Sequence, residues 1–261
     1  MCEIFCFNSN TPKQVNKCLE CFYNHSDQHP HGWGLATMQS DEFVITKEPI
    51  KATCSQHLKD ILSNPVVGKN VFAHIRLATV GEIISPNCHP FTEADDNNRS
   101  WMLIHNGTIF DYPELDKYKN VENGDTDSER ILLHIIDKVN EFEDAKGGLS
   151  TIKERFNLLT EIVSDLSKNN KLNLMIYDGD LTYIHSNMRK SLYYLKNDDG
   201  FLVATTPLTD DDGWLEVELN KLFGLIDGNI IFESEEHDNE FILTEVHEKI
   251  LQDYLDSLNG E

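Results

Sequence analysis

Cys2 directly follows the initiator methionine. Removing Met1 would put a thiol and a free α-amine on one residue, and cysteine is small enough for that removal to occur. An α-amine titrates near ~7.7–8.0 and the thiolate is the reactive form of cysteine, so the neutral amine can take the proton of its own side chain. The chemistry this suggests is nucleophilic attack by a thiolate that carries its own base. A plainer account is that Cys2 simply begins a buried strand.

Four later segments hold polar residues that such a nucleophile would need. Phe72-Ala73-His74-Ile75-Arg76-Leu77-Ala78-Thr79-Val80-Gly81 runs from a strand into a loop that presents Arg76 and Thr79, a guanidinium fork and a hydroxyl suited to a carboxylate. Asn87-Cys88-His89-Pro90-Phe91 is a short turn with one imidazole. His105-Asn106-Gly107-Thr108 pairs an amide side chain with a glycine N–H, the parts that bind an oxyanion. Asp127, in the first turn of a capped helix, could meet an ammonium group. Each also has a structural explanation: a surface ion pair for Arg76, a packed imidazole for His89, an Asn-Gly turn, and a helix-dipole acid.

Residues 2–7 read as a buried strand with Cys2 at its exposed end, followed by a helix initiated by Pro12 and carrying Val15, Leu19 and Phe22. Strands are expected over 32–38, 43–47 and 71–75, with a short helix after Ser55. A strand over 101–104 should run into a turn at His105-Asn106-Gly107. Thr126 and Glu129 fit a capping box opening a helix whose Ile131, Ile135, Val139 and Phe142 share a face, and Gly147-Gly148 ends it. A second helix carries Ile152, Phe156, Leu159, Ile162, Val163 and Leu166.

From Leu172 to about Phe232, turn chemistry at 178–180, 197–200 and 227–229 separates short strands into antiparallel hairpins. Thr244 to Leu258 is amphipathic, with Val246, Ile250, Tyr254 and Leu258 on one stripe. Strands, two helices and strands again predict an α+β fold of two sheets with helical layers, in a single domain over 1–261.

The chain has 45 acidic against 22 basic residues, a formal charge of -23 that disfavours nucleic acid as a partner. No apolar run nears the ~20 residues of a membrane span, and the first residues lack a signal-peptide pattern. The six cysteines read as free thiols. These features predict a cytoplasmic protein with no membrane association.

Taken together and in order, Cys2, Ala73-His74-Ile75-Arg76-x-x-Thr79-x-Gly81, Asn87-x-His89-Pro90-Phe91, His105-Asn106-Gly107-Thr108 and Asp125-Thr126-Asp127-Ser128-Glu129 resemble the class II glutamine amidotransferases, a family of N-terminal-nucleophile hydrolases. The resemblance is closest to its stand-alone small enzymes, and it is specific through residue 130. It thins to Asn173-Leu174-Met175-Ile176-Tyr177-Asp178-Gly179, Ala204-Thr205-Thr206-Pro207-Leu208 and Trp214-Leu215-Glu216-Val217, which look like the family's second sheet. The resemblance leaves a C-terminal helix at about 244–258 unassigned.

The resemblance implies a four-layer αββα sandwich, with Cys2 as nucleophile and Asn106 and Gly107 as oxyanion hole. It also implies Arg76 and Thr79 as holders of a glutamine α-carboxylate and Asp127 as partner of its α-ammonium. It sets His74 and His89 near the pocket in supporting roles. One departure is His31, where the stand-alone group usually has aspartate before Gly-Trp-Gly.

The implied reaction cleaves the side-chain amide of glutamine or another γ-glutamyl compound through a γ-glutamyl thioester, with no metal and no cofactor. Released ammonia would either pass to a separate acceptor or synthetase subunit or simply be lost in hydrolysis. Two alternatives carry different expectations. A catalytically inactive binding or regulatory protein would keep the fold and pocket alone, and a zinc module would use Cys18, Cys21, His25, His29 and His31.

Overall fold

The computed structural model describes residues 2–39 and 42–259. Strand β1 (Glu3–Gln14) leads to helix α1 (Asn16–Asn24), then to strands β2 (Trp33–Gln39) and β3 (Glu42–Glu48). Helix α2 (Gln56–Leu62) starts at Ser55, whose side chain accepts from the Leu58 N–H, and precedes β4 (Val67–Ile75). Strands β5 (Phe91–Ala94) and β6 (Ser100–Thr108) come before α3 (Asp127–Lys146) and α4 (Ile152–Leu166). Then follow β7 (Lys171–Tyr177), β8 (Thr182–Ser186), β9 (Tyr193–Asn197), β10 (Gly200–Ala204), β11 (Leu215–Glu216), β12 (Lys221–Ile226) and β13 (Asn229–Glu233), and last α5 (Glu245–Asn259).

Among the described residues the strands form two antiparallel sheets. One runs β11-β9-β10-β1-β4-β2-β3, the other β13-β12-β8-β7-β6-β5. Three apolar layers show how they stack. Leu19, Phe22 and Leu58 of α1 and α2 pack on Phe5, Val71 and Ala73, one face of the first sheet. Ile4, Cys6 and Phe72, from its other face, meet Met102, Ile104 and Met175 of the second sheet. Leu103, Leu174 and Ile176, on the far face of the second sheet, meet Ile131, Ile135 and Leu159 of α3 and α4. Strict alternation of side chains along β1, β4 and β6 produces these layers, and the αββα sandwich is their sum.

Several local expectations change. Helix α1 begins at Asn16, not Pro12, because β1 resumes pairing at Lys13 with Gly68 and Gln14 with Val67. Pro12 falls where that register shifts, a place where its missing N–H breaks no ladder bond. The chain then turns into α1 through Asn16, whose Oδ1 accepts from Val66 N at 2.7 Å while its Nδ2 donates to Leu62 and Asn64 carbonyls.

His105, Asn106 and Gly107 form no turn. They continue β6, paired with Leu174, Asn173 and Leu172 of β7. Only half of the capping box forms at Thr126: its hydroxyl accepts from Glu129 N at 3.2 Å, whereas the Glu129 carboxylate turns to the backbone N–H groups of Asn123 and Gly124. Phe142 is only half-buried, and Glu143 takes the buried place beside it.

The segments expected to share the second sheet divide between both. Residues 173–177 lie in the second, but β10 pairs with β1 (Phe5 opposite Ala204) and β11 extends that same first sheet through β9. In α5, Val246 and Ile250 are exposed rather than packed.

Candidate active site

Alternation puts Cys2 on the same side of its strand as Ile4 and Cys6, facing the second sheet. Glu3 pairs with Ile75, so Cys2 lies beside Arg76, which alternates with Phe72 and His74 onto the same inter-sheet face. On the opposing sheet Met102 and Ile104 are followed on that face by Asn106 and Thr108. Lys171 pairs with Thr108, and directly opposed residues of an antiparallel pair point the same way. One end of the apolar inter-sheet layer is thus closed by a polar rung of Cys2, Arg76, Asn106 and Lys171.

The thiol of Cys2 is half-buried and donates to the Leu77 carbonyl at 3.4 Å. Burial pushes its pKa up, against the opposing pull of the Leu77 hydrogen bond and of the Arg76 and Lys171 charges. The thiol is therefore a reluctant acid that needs a base beside it.

Residues 76–82 form a loop fastened at many points. The buried Arg76 guanidinium donates to the carbonyls of Glu82 (2.8 Å), Val80 (2.9 Å) and Gly81 (2.9 Å). The fork expected at a ligand carboxylate thus commits part of its five donors to shaping the loop. Gly81 has φ +78, and a Cβ there would sit 2.6 Å from Asp125 Oδ1, so no other residue fits the turn without strain. The Tyr254 hydroxyl of α5 also donates to the Gly81 carbonyl, at 2.8 Å. Thr79 and Thr108 hydroxyls are 3.3 Å apart, joining this loop to the end of β6.

Across the site, the buried His105 ring has Nδ1 3.0 Å from Ser128 Oγ and Nε2 3.3 Å from the Lys171 carbonyl. Burial lowers its pKa, although the Asp127 carboxylate opposes the shift. Asp127 Oδ2 accepts from Ile109 N at 2.9 Å. A Cβ on Gly107 would collide with the Lys171 carbonyl oxygen and with His105 Nε2, so the glycine allows β6 and β7 to close tightly. The Lys171 ammonium donates to Asn106 Oδ1 at 3.3 Å, and burial lowers its pKa to about 8 even though Cys2 pulls it up.

Residues 1–201 match the family described as glutamine amidotransferases class-II. The chain belongs to that family. It is 28% identical over 283 aligned residues to an uncharacterised protein of Methanocaldococcus jannaschii, covering 97% of this chain and 75% of that one. It is 26% identical to the protein of Escherichia coli named "Putative glutamine amidotransferase YafJ", over 81% of this chain and 82% of the relative. A predicted glutamine amidotransferase from Pseudomonas aeruginosa superposes with a TM-score of 0.62 at 19% identity, covering 88% of this chain and 99% of the other. That likeness is one of fold, and it agrees with the αββα layers.

For a class-II glutamine amidotransferase, the side chains singled out in the sequence fall into two groups. Cys2, Arg76, Thr79, Asn106, Gly107 and Asp127 surround the polar rung and its loop. His74 and His89 stack with ring centroids 4.0 Å apart, both buried, and burial pulls both pKa values well below the ordinary imidazole range. They are neutral packing groups at neutral pH.

The residues of the zinc alternative are dispersed. Cys18 and Cys21 pack against the apolar cluster under α1, His25 Nδ1 is 2.9 Å from Glu3 Oε2, and His29 Nδ1 is 3.1 Å from the His25 carbonyl. Among the described residues no group of three or more His, Cys, Asp or Glu side chains could hold a metal. No helix among them is long and apolar enough to cross a membrane.

Two site residues went unnoticed in the sequence. Lys171 left a signal, a charge opening the largely apolar run Lys171-Leu172-Asn173-Leu174-Met175-Ile176-Tyr177, where a lysine at 2% exposure needs a reason. Tyr254 left none, since its stripe on α5 says nothing about the loop it touches.

Proposed function

We propose that the chain is an amide hydrolase of the glutaminase type, acting on glutamine or another γ-glutamyl amide with Cys2 as nucleophile after loss of Met1. The observation that carries this reading is the placement of the Cys2 thiol, 3.4 Å from the Leu77 carbonyl and under the influence of the Arg76 and Lys171 charges, at the end of the sheet layer that also presents Asn106.

In this mechanism the α-amine of Cys2 takes the thiol proton and sulfur attacks the side-chain amide carbon. The tetrahedral oxyanion is held by the Asn106 amide and the Gly107 N–H. The C–N bond then breaks, the leaving ammonia or amine takes the proton from the α-ammonium, and a γ-glutamyl thioester remains. Water, deprotonated by the same amine, cleaves the thioester to release the γ-carboxylate and restore the thiol.

Arg76 and Thr79 are proposed to hold the substrate α-carboxylate and Asp127 its α-ammonium. The loop bonds of Arg76 favour a guanidinium already locked in place before substrate arrives, so no ordering cost falls on binding. His74 and His89 support the pocket by packing, in keeping with their neutral state.

Two readings of the product remain, ammonia supplied to a separate acceptor or synthetase subunit, or hydrolysis for its own sake. We favour hydrolysis of a γ-glutamyl amide, since no residue of the site addresses an acceptor. The test is glutamate release by purified protein from glutamine and from a panel of γ-glutamyl amides, with Cys2→Ala as control. Turnover of a panel member without any partner, lost in Cys2→Ala, is the expected result. Turnover of glutamine alone, and only when a partner is added, would sink the hydrolytic reading in favour of ammonia transfer.

A further inference from the structure

We propose that Lys171 is a positioning residue of the active site: its ammonium fixes the Asn106 amide so that the NH₂ faces the reacting carbonyl. This rests on the amide-hydrolase reading above and extends it to a residue outside the family motifs.

The geometry is set by the β6–β7 register. Asn106 and Thr108 point to one face of β6, and Lys171 stands opposite Thr108, so its four-carbon stem runs along the strand pair toward Asn106. Lysine is only a donor, hence the atom 3.3 Å from Nζ must be the amide oxygen of Asn106, as observed. An amide so held turns its two N–H groups away from the lysine. A freely rotating amide could offer its oxygen to the developing oxyanion, and the like charges would repel.

Burial supports the same assignment. Lys171 is 2% exposed, so its ammonium has left water for the Asn106 amide. A buried cation carries a desolvation cost that a purely structural strand position would avoid with an apolar side chain, as Met175 does on the same face of β7. Its use lies in what it faces. The α-amine of Cys2 is the base, and the ammonium of Lys171 stands behind the amide that receives the carbonyl oxygen as it becomes an anion.

The experiment compares native protein, Lys171→Met and Lys171→Gln. Cys2 alkylation by iodoacetamide checks for an accessible thiol in each protein, and kcat and KM are measured on the best substrate of the γ-glutamyl panel. In Lys171→Met kcat should fall roughly tenfold or more with KM little changed, a smaller loss than the ~10²–10³ for removing an oxyanion donor itself.

Lys171→Gln keeps a donor for Asn106 without the charge, so it should regain part of kcat. Because glutamine is polar and tolerated at a site with hydrogen-bond partners, it gives the comparison even where methionine fails to fold. Unchanged kcat in either folded variant overturns the inference. The two hypotheses fail separately: native protein with no alkylation of Cys2 and no turnover removes the hydrolase reading, whereas native activity with indifferent Lys171 variants removes only the role of Lys171.

Discussion

The Nδ1 of His31 accepts the backbone N–H of Ala78 at 2.9 Å, while the His31 backbone N–H donates to the Arg76 carbonyl at 2.9 Å. Position 31 is thereby a latch on the loop that carries Leu77 and Thr79. An aspartate at this position would likewise offer an acceptor to the same N–H. The two side chains differ in acid, because a protonated imidazole has no acceptor left.

Burial first, and the Arg76 charge second, lower the pKa of His31 below its ordinary 6.5. The unfolded imidazole binds the proton more readily, so the latch is fully present above pH ~6.5 and is lost as pH falls through the lower folded-state value. We expect KM to rise toward acid in native protein and to stay flat over the same range in His31→Asp. At pH 7.5, His31→Ala should raise KM about fivefold, the equivalent of one ordinary hydrogen bond of ~1 kcal/mol. Identical acid limbs in native protein and His31→Asp would count against the latch.

Asn106→Ala removes a donor without disturbing β6, whose backbone pairing with Asn173 is independent of the side chain. kcat should drop ~10²–10³-fold while substrate is still bound. Steady-state kinetics with a binding measurement on the inactive variant decide it: weakened binding with kcat intact would place Asn106 on the ground-state substrate instead.

Lys171 also makes a thermodynamic prediction. Its pKa falls from an ordinary 10.5 to about 8 through burial, so between those values the unfolded state holds more protons and stability must rise with pH. The shift corresponds to about 3 kcal/mol. Denaturant titrations of native protein and Lys171→Met from pH 7 to 11 should show the stability difference between them change by that amount across the window. A constant difference would mean that the ammonium is not desolvated.

Much of the architecture was legible because it rests on local rules. The apolar run over residues 2–7 and the helical stripe Phe156, Leu159, Val163 and Leu166 define elements that the fold buries as expected. The start of α1 was misread because Pro12 is equally at home at a helix start and at a break in a ladder, and only the pairing of Lys13 with Gly68 decides between them. The Asn106-Gly107 turn was misread for a similar reason. Its glycine serves close approach to Lys171 rather than a reversal of the chain. The assignment of hairpins to sheets depends on far-separated partners such as Ile4 and Thr205, 201 positions apart, and no local signal carries that.

Helix α3 contains a charge placed for stability rather than chemistry. Buried Glu143 accepts from Arg99 Nη2 at 2.7 Å, Asn97 Nδ2 at 2.7 Å and Ser150 N at 2.9 Å, and the Ser150 hydroxyl also bonds to it. Burial alone would raise its pKa, but the Ser150 and Arg99 bonds outweigh that and hold it at about 2. Its contribution is present above pH ~4.5 and is lost as pH falls toward ~2. Glu143→Gln should cost on the order of 2 kcal/mol at pH 7, and that difference should shrink through the same acid window. Activity per folded molecule should not change, since Glu143 lies near the C-terminal end of α3, whereas the site meets its N-terminal end at Asp127.

The central claim is that Cys2 becomes an N-terminal nucleophile. Intact-protein mass spectrometry before and after treatment with the glutamine-derived electrophile diazo-oxo-norleucine tests it most directly. The account predicts a mass lacking Met1 and a single adduct mapped to Cys2, absent from Cys2→Ala. Retained Met1 with no adduct would contradict it and leave the fold with a binding role instead.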